Sequence, residues 1–234
     1  MSGQRPRGGR EPAIPRGHSL FGRILYPTLW VLCRTLAVPL FGFRVRFAEP
    51  LPARGGLLVL SSHQSHLDPL LLGLASERRL SSLARSSLFH FGPFGALISA
   101  LDAIPIDRDA SMVAAMRAVI GRLKAGKAVT VFPEGSRTGD GRLGEFKPGF
   151  ALIAKRADVP IVPVAIVGAY ECWPRTRRLP RPGRIRLEFG RVIPAAEVAA
   201  LSEQELFALC VERIRALDAQ ARAAWNHSRH PAPP

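Results

Sequence analysis

The sequence predicts an α/β fold in which a largely parallel β-sheet is flanked by helices. Three apolar runs, residues 56–62, 128–132 and 161–167, carry most of this prediction. Each run has almost no charged side chains, which is typical of strands that are buried on both faces. Helical patterns separate the runs, and strands that alternate with helices favour parallel pairing.

The amino-terminal residues 1–19 are basic and rich in glycine and proline. They contain no apolar stretch followed by a small-residue cleavage site, so a cleaved signal peptide is not indicated. We expect a flexible basic tail.

Residues 20–43 are dense in apolar and aromatic side chains but are interrupted by two arginines and two prolines (Arg23, Arg34, Pro27 and Pro39). A spanning helix needs about 20 apolar residues, and a charge at the bilayer centre costs about 2.5–3.5 kcal/mol on insertion scales. This pattern favours a membrane-associating helical segment that lies in the plane of the membrane. A spanning helix and an ordinary core helix are the alternatives.

Residues 44–226 are predicted to form one domain. Alternating patterns indicate strands over residues 44–49 and 184–190, the second nearer an edge of the sheet. Helices are expected over residues 111–125 and 149–157. The first of these has apolar side chains at helical spacing and a glycine suited to end it (Val113, Met116, Ile120, Leu123 and Gly126).

The last predicted element is a helix with a defined start. Ser202 and Glu205 form a capping box, and Leu201 and Leu206 form a hydrophobic staple. One apolar face follows, made of Leu206, Cys210, Ile214, Leu217 and Ala221. We expect this helix to pack on the domain without a chemical role and to be followed by a flexible tail over residues 227–234.

Two polar segments follow directly after predicted buried strands. The first is SSHQSHLD, residues 61–68. Because ligands of open α/β sheets bind at the carboxyl ends of strands, a site is expected here. If His63 lies in the turn and Asp68 in the next helix's first turn, the carboxylate can hold one imidazole nitrogen and leave the other as a general base. A histidine and an aspartate that merely cap the helix are the alternative.

The second polar segment is FPEGSRT, residues 132–138. Gly135 allows a sharp turn, and the guanidinium of Arg137 suits a phosphate because its planar fork can donate two hydrogen bonds. A third segment, residues 104–109, begins with an apolar stretch and contains Arg108 between two aspartates. By themselves, the second and third segments also fit ordinary turns with solvated charges.

Together these segments resemble one family, the glycerolipid acyltransferases typified by 1-acylglycerol-3-phosphate acyltransferase. The family's blocks are His-x4-Asp, an apolar stretch ending in Arg, Phe-Pro-Glu-Gly-Thr-Arg-Ser and a Val-Pro-Val-type strand. This chain has them in that order as His63–Asp68, Ile104–Arg108, Phe132–Thr138 and Val162–Val164. Phe146–Gly149 is similar to the family's Phe-Lys-x-Gly. Three departures are Ser62 in place of a common Asn, Ala103 in place of a frequent Gly, and the exchanged hydroxyls of Ser136 and Thr138.

The resemblance, which covers roughly residues 55–170, implies acyl transfer from acyl-CoA or acyl carrier protein to the free hydroxyl of a lysophospholipid. His63 would be the catalytic base and Asp68 its support. The implied acceptor site consists of Arg108, Glu134, Gly135, Arg137 and Lys147. The acceptor would be 1-acyl-sn-glycerol-3-phosphate, with another lysolipid or an amine-bearing lipid as the alternative. No metal or cofactor is implied, because the acyl carrier is a co-substrate.

The charge balance is strongly basic, with 33 Lys+Arg against 18 Asp+Glu and a net charge of +15. Such an excess favours anionic partners, although an arginine-rich base composition explains part of it. Within the resemblance, the excess suits an anionic membrane surface on the cytoplasmic face. The three scattered cysteines favour a reducing compartment over a disulfide framework.

Two other function classes are disfavoured. A metal-dependent hydrolase could use His63, His66 and Asp68, but no histidine follows the aspartate as in the familiar dinuclear pattern. A nucleic-acid-binding protein could use a cluster of arginines (Arg175, Arg177, Arg178, Arg181 and Arg184). No recognised nucleic-acid module accompanies that cluster, so we expect no nucleic-acid partner.

Overall fold

The computed structural model describes residues 20–90, 92, 95, 98–99, 102–107 and 111–229. Its strands are β1 (Arg44–Phe47), β2 (Leu57–Ser61), β3 (Leu80–Arg85), β4 (Ile104–Ile106), β5 (Ala128–Val131), β6 (Ile161–Val167) and β7 (Arg186–Phe189). Its helices are α1 (Leu20–Phe41), α2 (Asp68–Ala75), α3 (Met112–Lys124), α4 (Gly149–Ala157), α5 (Ala169–Cys172), α6 (Ala195–Ala200) and α7 (Glu203–Arg229). A short 3₁₀ helix covers Ser86–His90.

The seven strands form one sheet in the order β1-β7-β6-β2-β5-β3-β4. Every neighbouring pair is parallel except β6 and β7, which are antiparallel. The predicted α/β fold with a largely parallel sheet is therefore confirmed.

The central strand β2 is buried along its whole length, and its side chains alternate between the two faces of the sheet. Leu57 and Val59 belong to an apolar layer that also contains Ala37 of α1 together with Leu71 and Leu72 of α2. Fully burying a leucine or valine stabilises a fold by about 1.5–3 kcal/mol. This layer therefore fixes α1 and α2 on one face.

The opposite face of β2 carries Leu58 and Leu60. They join a second apolar layer with Leu123 of α3, Ile153 of α4 and Ile214 of α7. Helices therefore cover both faces of the sheet, which explains why the central strands read as continuous apolar runs.

Strand β7 lies near an edge of the sheet, as its alternating pattern predicted, but it is more deeply buried than that pattern suggests. It lies between β1 and β6, and Leu187, Glu188 and Phe189 are all buried. Glu188 Oε1 accepts a hydrogen bond from Arg186 Nε at 2.6 Å, so the apparent polar alternation is an ion pair inside the sheet. The edge strands of the sheet are β1 and β4.

Helix α3 begins and ends close to the predicted residues. Ser111 Oγ accepts a hydrogen bond from the amide of Ala114 at 3.2 Å, and Gly126 follows the helix with φ +77°. The predicted apolar face was wrong at one position. Val113 is exposed, whereas Val119 is buried with Leu123.

Helix α7 confirms its predicted start and packing face. The Ser202 amide donates to Glu205 Oε2 at 2.8 Å, and the Glu205 amide donates to Ser202 Oγ at 3.2 Å. Leu206, Cys210 and Ile214 are fully buried, and burial raises the pKa of the Cys210 thiol to about 12. The helix continues to Arg229, three residues past the predicted end of the domain at residue 226, and the domain boundary itself stays a prediction. Residues 230–234 lie outside the described part of the chain.

Helix α1 is attached to the domain along one side. Ala37 is buried, and Arg34 Nη1 donates a hydrogen bond to the carbonyl of Leu74 at 2.8 Å. Four apolar side chains of the helix are exposed: Val31, Leu32, Val38 and Leu40. Among the described residues, no helix has the length and apolar character to cross a membrane. Association of residues 20–43 with a membrane stays a prediction, and the predicted tail over residues 1–19 lies outside the described residues.

Candidate active site

The two polar segments meet at one edge of the sheet. Their strands, β2 and β5, are parallel neighbours with Leu60 opposite Val131, so the turns that follow them begin side by side. The amide of Thr138 donates a hydrogen bond to the carbonyl of His63 at 2.9 Å. The sheet register therefore brings residues 61–68 and 132–138 into contact.

His63 and Asp68 lie in direct contact. His63 Nδ1 is 2.8 Å from Asp68 Oδ2, and Asp68 is completely buried at the start of α2. The same oxygen accepts hydrogen bonds from the amides of Gln64 at 2.6 Å and Ser65 at 2.7 Å. With Nδ1 held by the carboxylate, Nε2 is the ring nitrogen left to accept a proton.

The imidazole of His63 is also fixed by ring stacking. Its centroid lies 3.9 Å from that of Phe132, with 15° between the ring planes. Its side chain retains 18% exposure, so the ring is shielded but accessible to a substrate.

Ser62 ties the His63 turn to the next strand. Its Oγ accepts a hydrogen bond from the amide of Ile166 in β6 at 3.0 Å, and its own amide donates to the carbonyl of Val164 at 3.3 Å. The Ser62 hydroxyl therefore holds the turn that carries His63 against β6.

Glu134 bridges two walls of the site. Its Oε1 accepts the amide of His63 at 2.9 Å, and its Oε2 accepts the amide of Gly144 at 3.1 Å. The residue is only 8% exposed, and burial raises the pKa of its carboxyl above the ordinary value. Both carboxylate oxygens are thus engaged with backbone groups of this chain.

Gly135 and Lys147 pack against each other. Gly135 has φ +70°, a left-handed conformation that favours glycine. A Cβ at this position would lie 3.1 Å from Lys147 Nζ. The glycine therefore gives the turn its shape and leaves room for the ammonium group.

A polar cleft of about 630 Å³ opens beside these residues and is lined by, among others, Glu134, Ser136, Arg137, Thr138, Lys147 and Arg175. Of the predicted acceptor residues, Glu134, Arg137 and Lys147 line it, and Gly135 adjoins Lys147. Arg108 lies outside the described residues. Strand β4, which precedes it, ends two strands away from β5.

His66 contacts the site through Arg137. It lies in the turn before α2, and its Nδ1 accepts a hydrogen bond from Arg137 Nη1. Burial and the charge of Arg137 lower the His66 pKa, which favours the neutral ring that can accept this bond. The ring also lies 5.2 Å from that of Trp173.

Two neighbours of the site, Trp173 and Arg175, were missing from the sequence-based prediction. Arg175 lines the cleft, Trp173 packs near His66, and Ser65 Oγ donates to the Trp173 carbonyl at 2.7 Å. Their only sequence signal was the basic, proline-rich composition of residues 173–184. That pattern does not indicate which residue faces the site.

Metal coordination was the chemistry of the rival hydrolase hypothesis. In the part of the chain that the structure describes, no three His, Cys, Asp or Glu side chains are grouped so that they could hold a metal ion. His63 and Asp68 instead pair with each other, and His66 pairs with Arg137.

One known protein family matches the part of the chain that contains the site. A family model described as Acyltransferase matches residues 42–167. That range contains both turns of the site and the cleft residues up to Lys147.

Similar proteins include several lipid acyltransferases. The 1-acyl-sn-glycerol-3-phosphate acyltransferase of Bacillus subtilis is 28% identical over 174 residues, which cover 74% of this chain and 84% of the relative. The Pseudomonas aeruginosa protein of the same name is 32% identical and matches 65% of this chain and 60% of its own length. This chain therefore spans less than two thirds of some relatives that it matches.

A solved structure has the same fold. The crystal structure of the 1-acyl-sn-glycerophosphate (LPA) acyltransferase PlsC from Thermotoga maritima superposes with a TM-score of 0.76 at 25% sequence identity. The match covers 91% of this chain and 86% of that chain.

Proposed function

The chain belongs to the acyltransferase family, and from this premise we propose that it acylates 1-acyl-sn-glycerol-3-phosphate to give phosphatidic acid. The donor would be the thioester of acyl-CoA or acyl carrier protein. The names of the relatives from B. subtilis and P. aeruginosa support this acceptor. Another lysolipid or an amine-bearing lipid is the alternative acceptor.

The observation that carries the proposed mechanism is the 2.8 Å contact between His63 Nδ1 and Asp68 Oδ2. In this mechanism His63 Nε2 removes the proton of the acceptor hydroxyl as the oxygen attacks the thioester carbonyl. Asp68 fixes the tautomer and stabilises the imidazolium that forms. The carbon–sulfur bond then breaks, and the imidazolium returns its proton to the leaving thiolate. No acyl-enzyme intermediate is required.

We assign the acceptor phosphate to the cleft beside His63. Arg137 and Lys147 supply positive charge there, and the resemblance to the family adds Arg108. Arg137 can donate in a fork, while Lys147 acts as a point charge. Gly135 shapes the turn that holds them.

Glu134 has a positioning role in this proposal. Its oxygens accept the amides of His63 and Gly144, so the carboxylate fixes the His63 turn against the cleft wall. This refines the sequence-based expectation that Glu134 binds the acceptor directly.

An acyl-transfer assay with purified full-length protein in lipid vesicles tests the proposal. Labelled acyl-CoA and acyl carrier protein are each offered with lysophosphatidate, other lysophospholipids and an amine-bearing lipid. We expect phosphatidic acid as the main product, and we expect His63→Ala to form it at least about 100-fold more slowly. Faster acylation of a different lipid would identify that lipid as the acceptor in place of lysophosphatidate. The absence of transfer to every acceptor would contradict the proposed activity. The same assay identifies the donor.

The proposed setting is the cytoplasmic face of an anionic membrane. A long-chain lysophospholipid resides in a bilayer, and the basic chain would be attracted to its acidic lipids, which contribute about 1 kcal/mol for each Lys or Arg near the surface.

A further inference from the structure

A second basic region lies outside the cleft. Between Glu171 and Glu188 the chain has six arginines and no acidic residue. We call residues 174–184 the arginine loop. Only Arg175 of this loop lines the cleft. The proposed reaction does not use the other arginines of the loop, which are Arg177, Arg178, Arg181 and Arg184.

The tip of the arginine loop combines charge with an exposed apolar side chain. Arg177 and Arg178 are exposed, and Leu179 next to them is 74% exposed. Pro180 follows directly. An exposed leucine beside two arginines fits an interface that offers anions and an apolar layer together, as a bilayer surface does.

Hydrogen bonds hold the arginine loop in place at its base. The carbonyl of Arg177 accepts Trp173 Nε1 at 3.0 Å, and the amide of Arg177 donates to the carbonyl of Pro174 at 3.1 Å. The amide of Arg181 donates to the Cys172 carbonyl at 2.9 Å. The loop therefore presents its tip from a defined position.

The end of the arginine loop is attached to the last turn of α1. The amide of Gly183 donates to the carbonyl of Leu40 at 3.1 Å, and the amide of Ile185 donates to the carbonyl of Phe41 at 2.8 Å. Val38 and Leu40 in that turn are 49% and 45% exposed. Exposed apolar groups of the helix thus lie next to the base of the basic loop.

We propose that the arginine loop and the exposed residues of α1 form one surface that docks on an anionic lipid bilayer. Arg177 and Arg178 contact lipid phosphates, and Leu179 enters the interface with Val38 and Leu40. This inference extends the proposed function, because it says how an enzyme with a lipid acceptor would meet the membrane.

The docked orientation brings the cleft to the lipid. Arg175, at the start of the arginine loop, lines the cleft, and the Trp173 carbonyl just before it is bonded to Ser65 in the His63 turn. A bilayer that contacts the loop tip therefore lies beside the cleft entrance. An acceptor could reach His63 without leaving the membrane surface.

Vesicle binding tests the inference without measuring acyl transfer. Full-length protein is sedimented with phosphatidylcholine vesicles that contain or lack phosphatidylglycerol. The test variant is Arg177→Gln/Arg178→Gln. The matched control is Arg117→Gln/Arg215→Gln, which removes the same charge from exposed positions on α3 and α7, on the opposite side of the sheet.

We expect the test variant to bind phosphatidylglycerol vesicles at least tenfold more weakly, because each arginine near an anionic surface contributes about fivefold to binding. The control should change binding much less. Leu179→Ser, altered at an exposed tip, should keep binding at low salt and be released more readily at high salt. Thermal unfolding of each variant verifies its fold.

Equal losses in the test and control variants would overturn the inference, because only net charge would matter. Unchanged binding of the test variant would exclude contact by the arginine loop. Acyl transfer to a detergent-dispersed acceptor is assayed separately. A failure of docking is thereby distinguished from a failure of the proposed reaction.

Discussion

At His63, one hydrogen bond decides which ring nitrogen can act as a base. Nδ1 is held by buried Asp68, so His63→Ala removes the base, and we expect kcat to fall about 10²–10⁴-fold. The measurement is initial velocity at saturating donor and acceptor. His66→Ala is the control and should retain most of kcat, because its ring pairs with Arg137 instead. Comparable losses from both substitutions would contradict the assignment and favour a metal site.

Arg137 is the residue on which recognition of the acceptor phosphate is expected to depend. Hydrogen bonds to charged groups contribute about 1.5–3 kcal/mol each, so Arg137→Ala should raise the KM for the acceptor about 10-fold or more. Arg137→Lys should restore part of the affinity, since an ammonium group cannot donate in a planar fork. Kinetics with each substrate varied in turn provide the measurement. A change confined to the donor KM would place Arg137 on the other substrate.

The buried carboxyl of Glu134 is expected to make the stability of the protein depend on pH. Burial raises the pKa of this carboxyl above its ordinary value of 4.5, so the folded chain keeps a proton that the unfolded chain releases. Its contribution to stability is therefore present below pH 4.5 and is lost as pH rises through the higher folded pKa. Glu134→Gln does not titrate. We expect the stability of wild type relative to this variant to decrease with rising pH in urea unfolding.

Glu212→Gln, which changes an exposed carboxyl on α7, is the control for the effect of charge on that measurement. A constant difference between wild type and Glu134→Gln across the same pH range would show that burial does not govern the protonation of Glu134.

At the residue scale, sequence motifs identified side chains better than they identified roles. The contact of His63 with Asp68 follows from a turn and the first residue of a helix, both of which are local. The two hydrogen bonds that Glu134 accepts come from the amides of His63 and Gly144, and the first of these is 71 residues away. Such a partner depends on sheet register, which a motif does not contain.

At the scale of elements, burial determined which strands could be predicted. Strand β6 was predicted with its observed bounds because both its faces are covered and it reads IVPVAIV. Strand β3 reads LSSLAR and β4 has only three residues. Strand β3 has neither a continuous apolar run nor a regular alternation, and the apolar run of β4 is too short to indicate a strand. The hydrophobic pattern of the sequence therefore did not distinguish these two strands from loops.

Helix α7 supports the site, although the sequence indicated only a packing role. Arg222 Nη2 donates to the carbonyl of Gly141 at 2.6 Å, and Gln64 Nε2 donates to the same oxygen at 3.1 Å. An arginine on a helix usually reads as a solvated side chain. Its contact with the loop beside the cleft appears only when the helix is placed on the sheet.

The capping box gives a prediction for α7 as an element. Ser202→Ala removes the acceptor of the Glu205 amide, and loss of such a cap costs about 0.5–2 kcal/mol. We expect Tm to fall by about 2–4 °C, as for a change of 1 kcal/mol in a protein of this size. Calorimetry measures the shift. Acyl transfer well below Tm should not change, and a marked loss there would show that the helix start affects the cleft.

At the scale of the whole molecule, the main question is how the domain meets a membrane. The sequence favoured an in-plane segment over residues 20–43 because of its arginines and prolines. In the structure Ala37 of α1 is part of the core, and Arg34 bonds to the Leu74 carbonyl. Deleting residues 1–43 would therefore expose the core as well as remove the proposed membrane contact. Substitution of exposed side chains separates the two effects.

The variant Val31→Ser/Leu32→Ser/Val38→Ser/Leu40→Ser changes only exposed positions of α1. If these side chains enter the interface, wild type should stay on anionic vesicles at high salt, because apolar burial is not screened. The variant should bind at low salt through its arginines and dissociate at high salt, since exposed charges are screened beyond about 8–10 Å at physiological ionic strength. Sedimentation at the two salt concentrations measures both, with thermal unfolding to verify the fold. Retention of the folded variant at high salt equal to that of wild type would show that α1 does not enter the membrane.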